Sequence, residues 1–105
     1  MNYKQYKNTP NLLRKYRKAS GLREKDVAKI LGLKSSNELT RWENGENIPT
    51  IINALKLSIL YRVFIEALFM MHARNLREEI NNSKEMFFNQ NALNEKQIRK
   101  TTIRR

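Results

Sequence analysis

Three glycines divide the central part of this sequence and constrain its fold more than any other feature. Gly21, Gly32 and Gly45 stand where helical patterns stop, and glycine readily takes the left-handed conformation that ends an α-helix. The two segments between them carry apolar residues at helical spacing: Val27, Ala28, Ile30 and Leu31 in the first, Leu39 and Trp42 in the second. The sequence therefore predicts two short helices, at about 23–31 and 36–44, joined by a tight glycine turn.

The start of the second of these helices has its own local signal. Ser35 and Glu38 fit the S-x-x-E capping box, in which the serine oxygen accepts from one free N–H and the glutamate reaches back to another. Because this pair follows directly after a glycine turn, we expect a helix to begin near Ser36.

Helical patterns also flank this pair of segments. Pro10 suits the first turn of a helix that buries Leu12, Leu13 and Tyr16. Pro49-Thr50 opens a fourth helix, and a fifth apolar segment covers about 63–69. The expected buried row of the fourth helix is Ile52, Leu55 and Ile59.

A stripe of apolar or neutral residues continues beyond the fifth segment. It recurs every three or four residues, as on one face of a long helix, at Ile65, Phe69, His72, Leu76, Ile80, Ser83 and Phe87. We therefore expect an all-α chain with a flexible N-terminus (1–9), five helical segments (10–69), a helical extension (70–88) and a basic, disordered tail (89–105).

The charge balance favours a polyanionic partner. The chain has 21 Lys+Arg against 10 Asp+Glu, a formal net charge of +11 and a pI of about 10.3. Basic side chains that neutralise phosphates release condensed counterions, which favours binding to nucleic acid. The alternative interpretation of the same charge is a solvated, soluble surface.

The sequence does not contain the residues that several classes of function require. There is no cysteine for disulfides or thiolate zinc sites, and His72 is the only histidine, so we expect neither a metal site nor a cofactor. No glycine-rich phosphate loop or catalytic Ser/His/Asp set is present, and we expect no enzymatic activity. The most apolar window, 51–71, contains Lys56, Arg62 and Glu66, and this argues against a membrane span. We expect a cytoplasmic, nucleoid-associated protein.

Two short helices with a tight turn are the plan of a helix-turn-helix, whose second helix enters the DNA major groove. The region from 11 to 69 resembles the Cro/phage-repressor (XRE) family. The likeness lies in Gly21-Leu22, Val27-Ala28, Leu31-Gly32-Leu33, Arg41-Trp42-Glu43-Asn44-Gly45, Pro49 and Glu66-Ala67-Leu68-Phe69. This resemblance implies a compact five-helix bundle (10–69) with a helix-turn-helix, of the phage-repressor type, that binds operator DNA as a dimer.

The position of the third helix in the motif makes Ser36, Asn37 and Arg41 the candidates for base contacts. Asparagine can pair with adenine and arginine with guanine through two hydrogen bonds each. The alternative is an ordinary solvated helix face, which weighs most for Ser36. Glu38 could accept from a cytosine amine, although the capping role is favoured.

Phosphate contacts are expected from Arg23, Lys25, Lys34, Asn44 and Asn47. This set reflects departures from the family pattern. Glu24 stands where the family commonly has a phosphate-contacting glutamine, Lys34 lengthens the turn by one residue, and Glu46-Asn47 replaces a common basic residue.

Arg17 and Glu43 match a family pair that forms an ion pair between the first and third helices. A partly buried charge needs a partner, so we interpret Arg17 as structural. The alternative is that Arg17 is one more phosphate contact.

Taken as a whole, the sequence predicts a regulator of transcription, a repressor, that binds double-stranded operator DNA as a homodimer formed through residues 65–87. Two alternatives remain open. One is an antitoxin-type protein whose C-terminal segment binds a toxin, and the other is a nonspecific nucleic-acid-binding protein.

Overall fold

The computed structural model describes the chain from residue 7 to residue 103, with side chains described as far as residue 95. Six helices follow one another in this range: α1 (Leu13–Ala19), α2 (Glu24–Leu31), α3 (Asn37–Glu43), α4 (Ile51–Tyr61), α5 (Ile65–Leu68) and α6 (Met70–Ile103). The described residues contain no strand, which confirms the all-α prediction. None of the helices in this range is long and apolar enough to span a membrane.

The chain divides into two compact units, one ending at Ala73 and the other beginning at Arg74. The first unit has a single apolar core to which each of α1 to α5 contributes. Its members are Leu13, Val27, Leu31, Leu39, Trp42, Leu57, Tyr61 and Leu68. The inward positions expected for Trp42, Leu39, Val27, Ala28 and Leu31 are thereby confirmed.

Local capping explains where the motif helices begin and end. Gly32 takes φ +77°, and the N–H of Leu33 bonds to the Ala28 carbonyl at 2.8 Å, as in a Schellman ending. The Lys56 ammonium donates to the carbonyl of Leu31, 3.0 Å away, and so satisfies another free acceptor at the end of α2. These two contacts fix the point at which the chain turns from α2 towards α3.

Two expectations about buried faces are wrong. Ile52, Leu55 and Ile59 are exposed, and α4 instead buries Ala54, Leu57 and Tyr61. α4 is apolar on most sides, so spacing alone does not select the inner row. Ile30 is likewise exposed on α2, where Val27, Ala28 and Leu31 already fill the inner face.

The structure bears on the two predicted ends of the chain to different extents. Residues 1–6 of the expected flexible N-terminus lie outside the described residues, while the N–H of Asn8 donates to the Gly45 carbonyl at 2.7 Å. At the other end, α6 continues to Ile103 where we expected a disordered tail from residue 89. The helix contains no proline or glycine, and Ala92, Leu93 and Glu95 favour helix, so nothing in this segment interrupts it.

Candidate nucleic-acid interface

α3 has one buried face and one exposed face. Leu39 and Trp42 enter the core, whereas Asn37 and Arg41 are exposed and lie one helical turn apart on the same side. Ser36 precedes the helix and is half-buried, and its carbonyl accepts from the N–H of Thr40. Two of the three predicted base-contacting side chains therefore share one accessible surface.

The beginning of α3 differs from the predicted capping box. The helix starts at Asn37, and its N–H donates to the Ser35 hydroxyl oxygen at 3.3 Å. The expected return bond, from a free backbone N–H to the Glu38 carboxylate, is absent from the described contacts, and Glu38 is exposed. Ser35 thus caps the helix start from two residues away, and the Glu38 side chain stays on the outer surface.

A buried ion pair joins α3 to α1. The Arg17 guanidinium donates to both carboxylate oxygens of Glu43, from Nε at 2.6 Å and from Nη2 at 3.1 Å, and its Nη1 donates to the Leu22 carbonyl at 3.0 Å. The Glu43 side chain is fully buried. The hydrogen bonds that Arg17 donates to Glu43 raise the pKa of Arg17 above its usual value, which favours the charged guanidinium. Since its donors face inward, Arg17 positions α3 and is poorly placed to meet a phosphate.

Glu24 extends this polar cluster to α2. Its carboxylate accepts a hydrogen bond from the Thr40 hydroxyl and lies 4.0 Å from Nη2 of Arg17. A carboxylate at this position would repel a phosphate, but here it connects α2 with α3. Sequence reasoning found the departure at Glu24 but not its partner, because Thr40 is sixteen residues away and carries no local signal.

Arg14 of α1 and Asn11, which precedes α1, contact the end of α3. The Asn11 amide donates to the Trp42 carbonyl at 2.8 Å. Arg14 donates to Glu43 at 3.3 Å and to the Asn44 side-chain oxygen at 2.7 Å. Neither residue was predicted to take part in the site, since their partners are about thirty residues distant in sequence.

Three lysines surround a shallow groove at the turn between α2 and α3. Lys25, Lys29 and Lys34 line it together with Ser35 and Ser36. All three lysines are exposed. Lys29 was missed, although it lies four residues after Lys25 and therefore on the same face of α2, which is the signal that could have found it.

The other predicted phosphate contacts lie apart from this groove. The Arg23 guanidinium bonds to the Asp26 carboxylate at 3.2 Å, and Asp26 also accepts from the Arg23 N–H at 2.9 Å. These hydrogen bonds raise the pKa of Arg23 and lower that of Asp26. Arg23 therefore has an acidic neighbour that reduces its value as a phosphate contact.

The two predicted asparagines lie near the end of α3. The Asn44 side chain is hydrogen-bonded to Arg14, and Asn47 is exposed beyond Gly45.

The fold and this surface define a helix-turn-helix protein. A family model described as helix-turn-helix matches residues 13–66, just over half of the chain. The chain belongs to this family of Cro/phage-repressor (XRE) type proteins, which are DNA-binding regulators. No curated protein and no solved structure matches the chain.

Proposed function

We propose that this protein binds specific sequences of double-stranded DNA and represses transcription, with α3 in the major groove. The observation that carries the proposal is the exposed pair Asn37 and Arg41, one turn apart on a helix whose other face lies in the core. The ion pair of Arg17 and Glu43 fixes this helix to α1. A rigid support of this kind is what base readout needs, because hydrogen bonds to base edges depend strongly on geometry.

The side chains divide into two roles. Asn37 and Arg41 have the donors and acceptors that pair with adenine and guanine in the major groove, and the Ser36 hydroxyl can serve either base. Lys25, Lys29 and Lys34 supply positive charge beside the start of α3, where the DNA backbone would run. The first group would determine the sequence preference, and the second would supply affinity that is independent of sequence.

We further propose that the protein acts as a homodimer, with residues 65–87 as the expected contact region. One short helix reads few base pairs, and two copies with their helices about 34 Å apart would read a palindrome. The exposed apolar side chains of α6 support a partner on this segment.

The test is selection of bound duplexes from a random-sequence pool by the full-length protein. We expect a preferred motif made of two inverted half-sites. The selected duplex and a scrambled duplex of equal length are then titrated at the same salt concentration. Equal affinities would favour the nonspecific interpretation and contradict sequence-specific binding.

A further inference from the structure

The part of α6 beyond Ala73 exposes a row of large apolar side chains. Ile80 is 56% exposed, Phe87 59%, Met86 73% and Leu93 63%. Burying apolar surface of this kind is favourable roughly in proportion to its area. Phe88, also 56% exposed, lies off this row. A helix of 34 residues with such a row has the form of one strand of a helical pair.

We propose that this segment pairs in parallel with the same segment of a second copy, as a two-stranded coiled coil. The inference rests on the proposed homodimer and specifies its partner, orientation and register. In heptad notation, the a positions are residues 73, 80, 87 and 94, and the d positions are 76, 83 and 90. This register places Ile80 and Phe87 at the centre of the contact.

The residue types along this register favour two parallel strands. Ile80 occupies an a position and Leu76 a d position, which is the combination that selects parallel dimers. Asn94 occupies another a position, where a single asparagine specifies register and strand number. Ser83 and Gln90 make the other two d positions polar, so we expect association that is reversible rather than obligate.

Charges beside the seam point to the same orientation. Glu79 lies at a g position and Lys84 at the following e position. In a parallel pair, the g residue of one helix faces the next e residue of its partner, so each Glu79 would face a Lys84. An antiparallel pair would bring e positions together, and the e positions Arg77 and Lys84 are both basic. The charge pattern therefore favours the parallel arrangement.

The first experiment compares association of full-length variants by sedimentation equilibrium without DNA. We expect Ile80→Asn to weaken dimerisation at least about tenfold, because it removes a buried apolar contact from both helices. The matched control is Phe88→Asn, since Phe88 is also 56% exposed but lies at a b position outside the seam. Ile59→Asn, at the exposed isoleucine of α4 with 76% exposure, serves as a control for a different apolar surface. Both controls should dimerise like the parent.

The second experiment tests orientation by charge reversal. Glu79→Lys and Lys84→Glu should each weaken the dimer about fivefold, the scale of turning two exposed ion pairs repulsive. The double variant should recover the parent's association constant. The charge-matched control is Glu85→Lys, which reverses a carboxylate at an f position, away from the seam, and should dimerise like the parent.

Each other outcome overturns the proposal. A monomeric parent at the highest measurable concentration, or a dimer disrupted by Ile59→Asn but not by Ile80→Asn, would exclude the seam. If the double variant dimerised no more strongly than the single variants, the parallel register would be excluded. A bound protein of another kind released by Ile80→Asn would favour the toxin-binding alternative. Because DNA is absent from these measurements, their failure is distinct from failure of sequence-specific binding.

Discussion

The Arg17 guanidinium holds both carboxylate oxygens of Glu43 in a buried pair that spans from α1 to the last turn of α3. The same side chain also donates to the Leu22 carbonyl, at the start of the turn that leads into α2. One arginine therefore links three consecutive parts of the motif. Its removal should change folding stability first, and DNA affinity only as a consequence.

Glu43→Gln is the direct test of this pair. It leaves the buried Arg17 charge with only the more distant Glu24 carboxylate, 4.0 Å from Nη2, and breaking a buried pair in this way costs about 3–5 kcal/mol. The free energy of unfolding can be followed in urea by the fluorescence of Trp42, the only tryptophan. The double variant Arg17→Met/Glu43→Leu should recover much of the loss. Unchanged stability of Glu43→Gln would show that the pair does not hold α3.

Arg41→Ala should reduce specific binding much more than nonspecific binding. Removing a bidentate hydrogen-bonded pair with a base costs about 1–3 kcal/mol. Binding to the scrambled duplex loses only the attraction of one positive charge on the protein. The measurement is affinity for the selected and the scrambled duplex at one salt concentration. Arg74→Ala, at an exposed arginine in the second unit, removes the same charge and should leave the ratio unchanged. A ratio that stays constant in Arg41→Ala would rule out base readout by this residue.

Lys29→Ala and Lys34→Ala should weaken binding to all sequences by similar factors. Each lysine lines the groove beside the start of α3, and removing one phosphate-neutralising charge should reduce the slope of log K against log salt by roughly 0.9. Titrations at four or five salt concentrations provide this slope. Arg23→Ala is the informative comparison, since its charge is shared with Asp26 and its slope should change less. An altered sequence preference with an unchanged slope would contradict the phosphate role.

The sequence predicted the centre of the motif well because its signals are local. Gly32 and Gly45 end helices by their own conformation, and Leu39 and Trp42 face inward by simple periodicity. The contact between Glu24 and Thr40 could not be predicted in the same way, because it depends on how α2 and α3 meet in space. Nor could spacing choose the inner row of α4, where isoleucines and leucines occupy almost every side.

Tyr61, at the end of α4, should make the protein less stable at alkaline pH. Burial, with the nearby charge of Glu43, raises the pKa of Tyr61 to about 12, whereas an unfolded tyrosine titrates at about 10. Because folding raises this pKa, the folded state favours the protonated hydroxyl. The stability of the protein is therefore unaffected by this group below a pH of about 10 and falls as the pH rises from about 10 to about 12. Urea unfolding across this range should show the decline, and Tyr61→Phe should reduce it.

Tyr61→Phe also has an expected effect at neutral pH. The Tyr61 hydroxyl is buried without a hydrogen-bond partner among the described residues, so its removal relieves a desolvation cost. The variant should be as stable as the parent or more stable at pH 7. A clear loss of stability there would indicate that the hydroxyl has a partner, such as a bound water.

Gly32 and Gly45 offer a matched pair for testing how the N-terminal segment packs. Both have φ +77°, where a side chain is strained by roughly 1–2 kcal/mol. They differ in their surroundings. A Cβ at Gly32 would meet nothing within 4 Å, whereas one at Gly45 would lie 3.1 Å from the Thr9 carbonyl oxygen and 3.2 Å from the Asn8 Cα.

Gly45→Ala should therefore destabilise the protein more than Gly32→Ala. The shared conformational strain cancels in the comparison, and the remainder measures the displacement of residues 8–9 from the end of α3. The Asn8 N–H bond to the Gly45 carbonyl should weaken at the same time, because the alanine pushes against the segment that donates it. Urea unfolding gives the two free energies, and hydrogen exchange at the Asn8 amide reports the local effect. Equal losses in the two variants, with unchanged exchange at Asn8, would show that residues 8–9 do not pack on Gly45.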